Sequence, residues 1–293
     1  MKKLLLIVNP IAGMKKATKY LSDIIFIFNQ ANFEVSTYIT AKQGDAKKAV
    51  EILGKNADLI VCCGGDGTLN EVITGIMVND INVPIGYIPS GSTNDFAASL
   101  KLETNVIKAA QKIVKGNAIN IDVGKFGDRY FTYVASFGAF TKTSYSTPQS
   151  VKNTLGHMAY ILEGIQELSK VSKIYVNMEV DGKEIEGDFI FGAICNSTSV
   201  GGVLTLNSKI VDMSDGKFEV VLIRQPKDIV ELHDCVVSLS KQKYDSNMIT
   251  MLSAKNVKVK TNKKINWSLD GEKAADVKEI DIDNISNRLQ IIC

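Results

Sequence analysis

The stretch Ile60-Val61-Cys62-Cys63-Gly64-Gly65-Asp66-Gly67-Thr68-Leu69-Asn70-Glu71-Val72 decides how the rest of the chain is read. A short apolar run ends in two glycines, an acid, a third glycine and a threonine, and a helical pattern follows. An apolar run of this length before a glycine cluster predicts a buried strand. Glycines at its end allow a sharp turn and let another molecule approach bare N–H groups. Thr68 is placed to cap the helix that follows, with Glu71 three residues on completing a capping box. The positive end of that helix favours an anion such as phosphate. A single loop of this kind also fits an ordinary strand-turn-helix corner.

Outward from this stretch, residues 1–120 alternate strand and helix. Strand patterns cover 4–8, 33–39, 58–63 and 83–88. Helical patterns cover 14–29, 45–53 and 69–78, and another begins at 94. This alternation predicts a parallel sheet covered on both faces. Three small, polar, glycine-bearing loops then fall at the carboxyl ends of strands: Asn9-Pro10-Ile11-Ala12-Gly13, Gly64–Thr68 and Ser90-Gly91-Ser92-Thr93-Asn94-Asp95. Strand carboxyl ends share one edge of a parallel sheet, where ligands bind. A fourth, more generic loop follows the second strand at Thr40.

Past residue 120 the pattern changes. Strand patterns at 121–126 and 130–136 flank Gly127-Asp128, and those at 174–180 and 183–187 flank Asp181-Gly182, a hairpin signal. More short strands follow at 189–195, 218–223, 257–261, 265–269 and 277–282, with helical patterns at 154–169 and 226–240. A mostly antiparallel β domain is expected over 121–293, as a sandwich or partly closed barrel, its last few residues packing back on the first domain. No Gly/Ser-rich linker separates the two.

Composition is ordinarily globular, with 45% hydrophobic and 23% charged residues among 293. A net charge of +2 gives no whole-molecule attraction to nucleic acid. The apolar opening Leu4–Val8 breaks at Asn9-Pro10, too short for an export signal. No stretch approaches the roughly 18 apolar residues of a membrane span, so membrane contact is expected to be peripheral. Five cysteines without metal-like spacing fit free thiols in a cytoplasmic protein. Cys62 and Cys63 read as packing residues. Oligomeric state is not encoded legibly, and a homodimer is among the assemblies the sequence allows.

The three loops suit a polyphosphate, with donors from N–H groups and from the hydroxyls of Thr40, Thr68, Ser92 and Thr93. Asp66 and Asp95 do not, because carboxylates repel phosphates unless a divalent cation intervenes or the acid makes local backbone bonds. Mg²⁺ binds through one or two carboxylates plus phosphates and waters, so two acids in two such loops point to a Mg-nucleotide. There is no G-x-x-x-x-G-K-[ST] and no G-x-G-x-x-G.

Taken together, Asn9–Gly13, Gly64–Val72 and Pro89–Ala97 resemble the catalytic domain of the soluble diacylglycerol kinase family. That family includes bacterial lipid kinases, sphingosine and ceramide kinases and, more distantly, NAD kinases and phosphofructokinases. The resemblance runs nearly end to end. It implies an N-terminal parallel-sheet nucleotide-binding domain of NAD kinase/phosphofructokinase type, a C-terminal antiparallel β-sandwich, and an active site in the cleft between them. It implies ATP-dependent transfer of a phosphoryl group to diacylglycerol or a similar lipid alcohol at a membrane surface. The nucleotide-binding residues it carries over are Asn9, Gly13, Thr40, Gly65, Asp66, Gly67, Thr68, Ser92 and Asn94.

Two more acidic clusters gain meaning from the resemblance. Asp270-Gly271-Glu272 alone reads as a hairpin turn. The resemblance makes Asp270 the general base and Glu272 its support. Asp212-Met213-Ser214-Asp215-Gly216 alone reads as a surface turn. The resemblance makes Asp215 a ligand of a structural Mg²⁺ linked through water to Asp66 and Asp95, with Asp212 undecided. His157 and His233 read as packing or surface residues, and Trp267 as core or pocket lining. Lys15, Lys16 and Lys19 read as a solvated face that could meet phosphates or anionic headgroups. Two rivals are a kinase for a soluble substrate such as NAD, and a non-catalytic nucleotide- or lipid-sensing protein.

Overall fold

The computed structural model describes residues 1–139, 173–200, 204–207, 209–244 and 246–293. The expected helix over 154–169, with His157, lies outside them. The chain divides into two compact units, Met1–Val123 with Ile285–Cys293, and Gly124–Asn284.

The first unit is α/β. Its elements are β1 (Lys2–Val8), α1 (Lys16–Lys19), α2 (Leu21–Gln30), β2 (Phe33–Ile39), α3 (Asp45–Leu53), β3 (Leu59–Gly64), α4 (Asp66–Val78), β4 (Ile85–Pro89), α5 (Asp95–Ser99) and α6 (Val106–Lys115). The strands are parallel in the order β2-β1-β3-β4, and Ile291 of the C-terminal segment pairs in parallel with Ile85 beyond β4. The central strands β1 and β3 are buried in unbroken runs, as a sheet covered on both faces requires. Leu4, Leu6, Val61 and Cys63 pack with Phe28 of α2 and Ile113 of α6 on one face. The expected helix over 14–29 is interrupted at Tyr20, and α6 escaped the sequence reading.

The second unit contains β5 (Ala118–Phe126, which begins in the first unit), β6 (Arg129–Phe131), β7 (Val134–Gly138), β8 (Ile174–Val180), β9 (Lys183–Cys195), β10 (Ser199–Val200), β11 (Leu204–Thr205), β12 (Phe218–Arg224), α7 (Ile229–Ser240), β13 (Ile249–Ala254), β14 (Asn256–Ile265), β15 (Trp267–Leu269), β16 (Glu272–Lys273) and the first half of β17 (Val277–Ile292). Its strand pairings among the described residues are antiparallel and form a β-sandwich. The long β9 pairs with β8 through its first half and with both β7 and β12 through its second, so one strand serves both layers. Val176 and Met178 of β8 share a core with Phe218 and Val220 of β12. Trp267 belongs to that core, edge-on to Phe126 and Phe137 at 5.0 and 4.9 Å.

Two capping expectations change. Thr68 does not cap α4, whose N-cap is Gly65 and carries no side-chain cap. Its Oγ1 instead accepts from Asn9 Nδ2 at 2.9 Å. Glu71 reaches sideways to α3, accepting from Gly44 N at 2.8 Å and Ala46 N at 3.1 Å. A helix start at Asp66 puts Thr68 inside the first turn, so neither side chain can close the box. A related exchange occurs at α7, where Asp228 accepts from Val230 N and Glu231 N, and Glu231 accepts from Lys227 N.

Candidate active site

In the first unit β2 and β3 lie on opposite sides of β1, so the order reverses there. Loops at the carboxyl ends of β1 and β3 flank that switch point, the usual ligand crevice of an open α/β sheet. The first intrahelical bond of α4 runs from Leu69 N to Gly65 O at 3.0 Å. The N–H groups of its first turn lie ahead of that bond, at the positive end of a 13-residue helix.

Three loops are fastened to one another here. Asn9 bonds Thr68 and also accepts from Ile11 N at 3.2 Å. Gly13 has φ +50, and a Cβ there would lie 1.8 Å from the Ser90 carbonyl oxygen. Ser90 N donates to Gly64 O at 2.8 Å. A Cβ on Gly91 would lie 2.5 Å from Gly65 Cα. The glycines therefore let backbone pack on backbone, besides any role toward a ligand. Asn94, left-handed at φ 54, closes its own loop by accepting from Gly91 N at 2.9 Å and donating to Gly91 O at 3.0 Å. The Tyr87 hydroxyl also donates to Asn94, at 3.3 Å.

Asp66 joins the second loop to the third. Its carboxylate accepts from Asp95 N at 3.1 Å and Phe96 N at 3.3 Å, the first turn of α5. Part of the charge that looked misplaced beside phosphates is thus spent on backbone N–H groups. Asp95 is buried, Ser92 is exposed, and Gly65 and Gly67 are half-buried. Thr40 is buried beside the end of β1, its N and Oγ1 both donating to Val8 O.

In the second unit Asp270 is only 5% exposed and left-handed at φ 49. Its Oδ2 accepts from Thr132 N at 2.6 Å and Thr132 Oγ1 at 2.8 Å. Its Oδ1 accepts from Tyr133 N at 2.9 Å and Val134 N at 3.0 Å. Burial pushes the carboxyl above its ordinary value, and these four donors pull partly the other way. The expected strand over 130–136 is broken between β6 and β7 at these residues, which frees three successive N–H groups to face the acid. From the other side, Asn196 N donates to Tyr133 O at 2.9 Å, and Ser197 Oγ donates to the same carbonyl at 3.3 Å. Thr132, Tyr133, Asn196 and Ser197 were missed by sequence reasoning, because an unbroken apolar pattern carries no mark of the break. Glu272 is half-buried on β16.

At the Asp212–Gly216 turn, Asp212 Oδ1 accepts from Ser214 N and Oγ, and Asp215 Oδ1 accepts from Lys217 N. Asp215 and Asp212 both add to the burial that raises Glu219, so the local field is negative. Among the described residues no three His, Cys, Asp or Glu side chains are grouped closely enough to hold a metal ion. The turn therefore does not fit a metal caged by side chains, and a metal here would rest on one carboxylate with water completing its shell. His233 is exposed, and Cys62, Cys63, Cys195 and Cys235 are buried free thiols. No helix among the described residues is long and apolar enough to cross a membrane.

Comparison with known proteins identifies the family. Residues 3–126 match the family model for the diacylglycerol kinase catalytic domain. Residues 136–292 match that for the YegS C-terminal NAD kinase beta sandwich-like domain. A diacylglycerol kinase of Bacillus subtilis is 33% identical over 93% of this chain and 90% of its own length. One from Staphylococcus carnosus is 30% identical over 92% and 89%. The crystal structure of a diacylglycerol kinase from Bacillus anthracis superposes with a TM-score of 0.81 at 25% identity, over 99% of this chain and 96% of that one.

Proposed function

The chain belongs to the diacylglycerol kinase family and is a kinase, and from that premise we propose that it transfers the γ-phosphoryl group of ATP to the hydroxyl of diacylglycerol or a similar lipid alcohol. The observation that carries the nucleotide part is the fastening of three glycine loops at the strand switch point, over the positive end of α4. In this reading the first-turn N–H groups of α4, the backbone at Gly13, Gly65 and Gly67, and the side chains of Asn9, Thr40, Thr68, Ser92 and Asn94 surround the nucleotide. Phosphoryl transfer asks mainly for such positioning and for charge stabilisation. Mg²⁺, when bound, neutralises phosphate charge. Asp215 is its proposed protein ligand, with Asp66 and Asp95 contributing through water.

Asp270 is the proposed general base, with Glu272 supporting it. A carboxylate has about four acceptor positions, and all four are occupied in the resting protein. Three donors are backbone N–H groups fixed by the β6–β7 break. The fourth, the Thr132 hydroxyl, can rotate away. A substrate hydroxyl donating to Oδ2 takes that position, and its proton passes to the carboxylate as the oxygen attacks phosphorus. The upward push of burial makes Asp270 a better proton acceptor than an exposed aspartate.

The test is ATP consumption with and without mixed micelles of diacylglycerol. Turnover that requires the micelles supports the proposal. Equal turnover with NAD and no lipid, or nucleotide binding without turnover, would sink it.

A further inference from the structure

The second unit carries a cavity of about 500 Å³ that the phosphoryl-transfer residues do not explain. Among the described residues, Ile210, Tyr244 and Met251 give it apolar walls, Gln242, Lys243 and Ser253 line it too, and Glu219, 2% exposed, contributes its carboxyl. Glu219 Oε2 is buried and has no hydrogen-bond partner among the described residues. A buried polar group of this kind costs about 1–3 kcal/mol unless something satisfies it.

Strand register relates this cavity to Asp270. Asp270 N donates to Val134 O at 2.9 Å. Val134 pairs with Cys195, Cys195 with Glu219, and Glu219 with Ser253. Residues directly opposite across neighbouring strands project from the same face. Val134, Cys195 and Glu219 therefore stand on one face in one row, with Met251 two residues along from Ser253. Two strand spacings separate Val134 from Glu219, or about 10 Å. Asp270 Oδ1 lies 3.0 Å from Val134 N. The unpartnered acid is thus within the length of one acylglycerol of the proposed base.

We propose that this cavity receives the acyl-ester part of the lipid alcohol, with Glu219 donating a hydrogen bond to an ester carbonyl and Ile210, Tyr244 and Met251 covering the start of the acyl chain. The inference rests on the lipid kinase reading above. Burial raises the Glu219 carboxyl above its ordinary value, and its buried Oε2 in the cavity lining is placed to meet an ester carbonyl. Lys243 in the lining disfavours an organic cation as the occupant. A volume of this order suits a small ligand or the head of a larger one. An ester carbonyl flanked by hydrocarbon matches a buried donor in a lining that mixes apolar and polar side chains.

The experiment measures initial rates of the full-length protein with dioctanoylglycerol in mixed micelles, for the parent, Glu219→Leu, Glu219→Gln and Met251→Trp. It also measures the thermal midpoint of each with and without dioctanoylglycerol in the micelles. Glu219→Leu removes the donor and should raise the KM for lipid about 5–10-fold, the value of one hydrogen bond. Its kcat and its KM for ATP should stay near those of the parent. Glu219→Gln keeps an N–H donor and should restore the lipid KM. Met251→Trp fills the cavity and should raise the lipid KM without touching that for ATP. The lipid-induced rise in midpoint should be present in the parent and Glu219→Gln, and lost in the other two. A lipid KM unchanged in both Glu219→Leu and Met251→Trp would overturn the inference, as would equal lipid-induced midpoint shifts in all four proteins. If the parent does not phosphorylate dioctanoylglycerol, the lipid kinase reading fails by itself, and the midpoint shifts still decide whether the cavity binds the lipid.

Discussion

Asp66 and Asp270 are both carboxylates that accept backbone N–H groups from a distant part of the chain, yet they are held very differently. Asp66 sits half-buried at the head of α4 and bonds two N–H groups at the start of α5, about thirty residues away. Asp270 is buried and bonds three N–H groups and a hydroxyl some 138 residues back in the chain. The first acid ties two loops together at the surface of a nucleotide-type crevice. The second is wholly enclosed by its donors, and its proton affinity is set by burial against hydrogen bonding. An acid that fastens a loop can be weakened with modest loss. An acid that fills a buried ring of donors cannot.

This difference can be attacked first at its stronger end. Asp270→Ala leaves three N–H groups and a hydroxyl facing a void, at about 1–3 kcal/mol for each group that water fails to reach. The expected loss in urea unfolding is about 3–5 kcal/mol. A loss below about 1 kcal/mol would mean that water enters freely and the ring of donors is not closed.

Gly13→Ala comes next, because its Cβ would meet the Ser90 carbonyl at 1.8 Å in a left-handed backbone. The first and third loops must separate, at about 2–3 kcal/mol, and nucleotide affinity should fall with stability. Calorimetry with an ATP analogue checks both. Full affinity would show that the loops need not touch to bind.

Asp66→Asn retains one acceptor and loses the charge at two helix starts. A loss of about 1–2 kcal/mol is expected. If it matched the loss for Asp270→Ala, the contrast between the two acids would collapse.

A separate effect is in pH dependence. Glu219 has its ordinary value of 4.5 when unfolded and about 8 when folded. Its stabilising contribution is therefore complete below 4.5 and is lost as pH rises through about 8. In metal-free buffer the parent's thermal midpoint should decline between pH 5 and 8 more steeply than that of Glu219→Gln. Parallel curves would show that the acid is already ionised in the folded protein.

Legibility in the sequence follows the same divide. Apolar runs followed by small, polar, glycine-bearing loops made β1, β3 and β4 readable, and with them the parallel sheet and its loop-bearing edge. Asp66 was visible as an acid in the wrong company, but its partners at Asp95 N and Phe96 N were not, since helix-start geometry depends on where α5 begins. The capping box at Thr68 and Glu71 failed by a register of three residues, because α4 is capped at Gly65. In the second unit, Asp181-Gly182 marked the β8–β9 hairpin correctly. Asp270-Gly271 was visible as a turn. The Thr132–Val134 donors were not, because Tyr130 to Ser136 reads as one strand and only the tertiary pairing of β7 with β15 and β9 reveals the break. Glu219 gave no signal in an otherwise apolar strand.

The measurement that bears most directly on the proposed chemistry is kcat for ATP-dependent phosphorylation of diacylglycerol by Asp270→Asn, a substitution that keeps the side-chain shape and one acceptor oxygen while removing the base. General-base catalysis contributes about 10²–10⁴-fold. The expected result is a fall in kcat of that size, with nucleotide binding retained and the protein still cooperatively folded. A folded Asp270→Asn protein that turns over diacylglycerol within a few-fold of the parent would contradict it, and would leave Asp270 as an acid that only holds the β6–β7 corner in place.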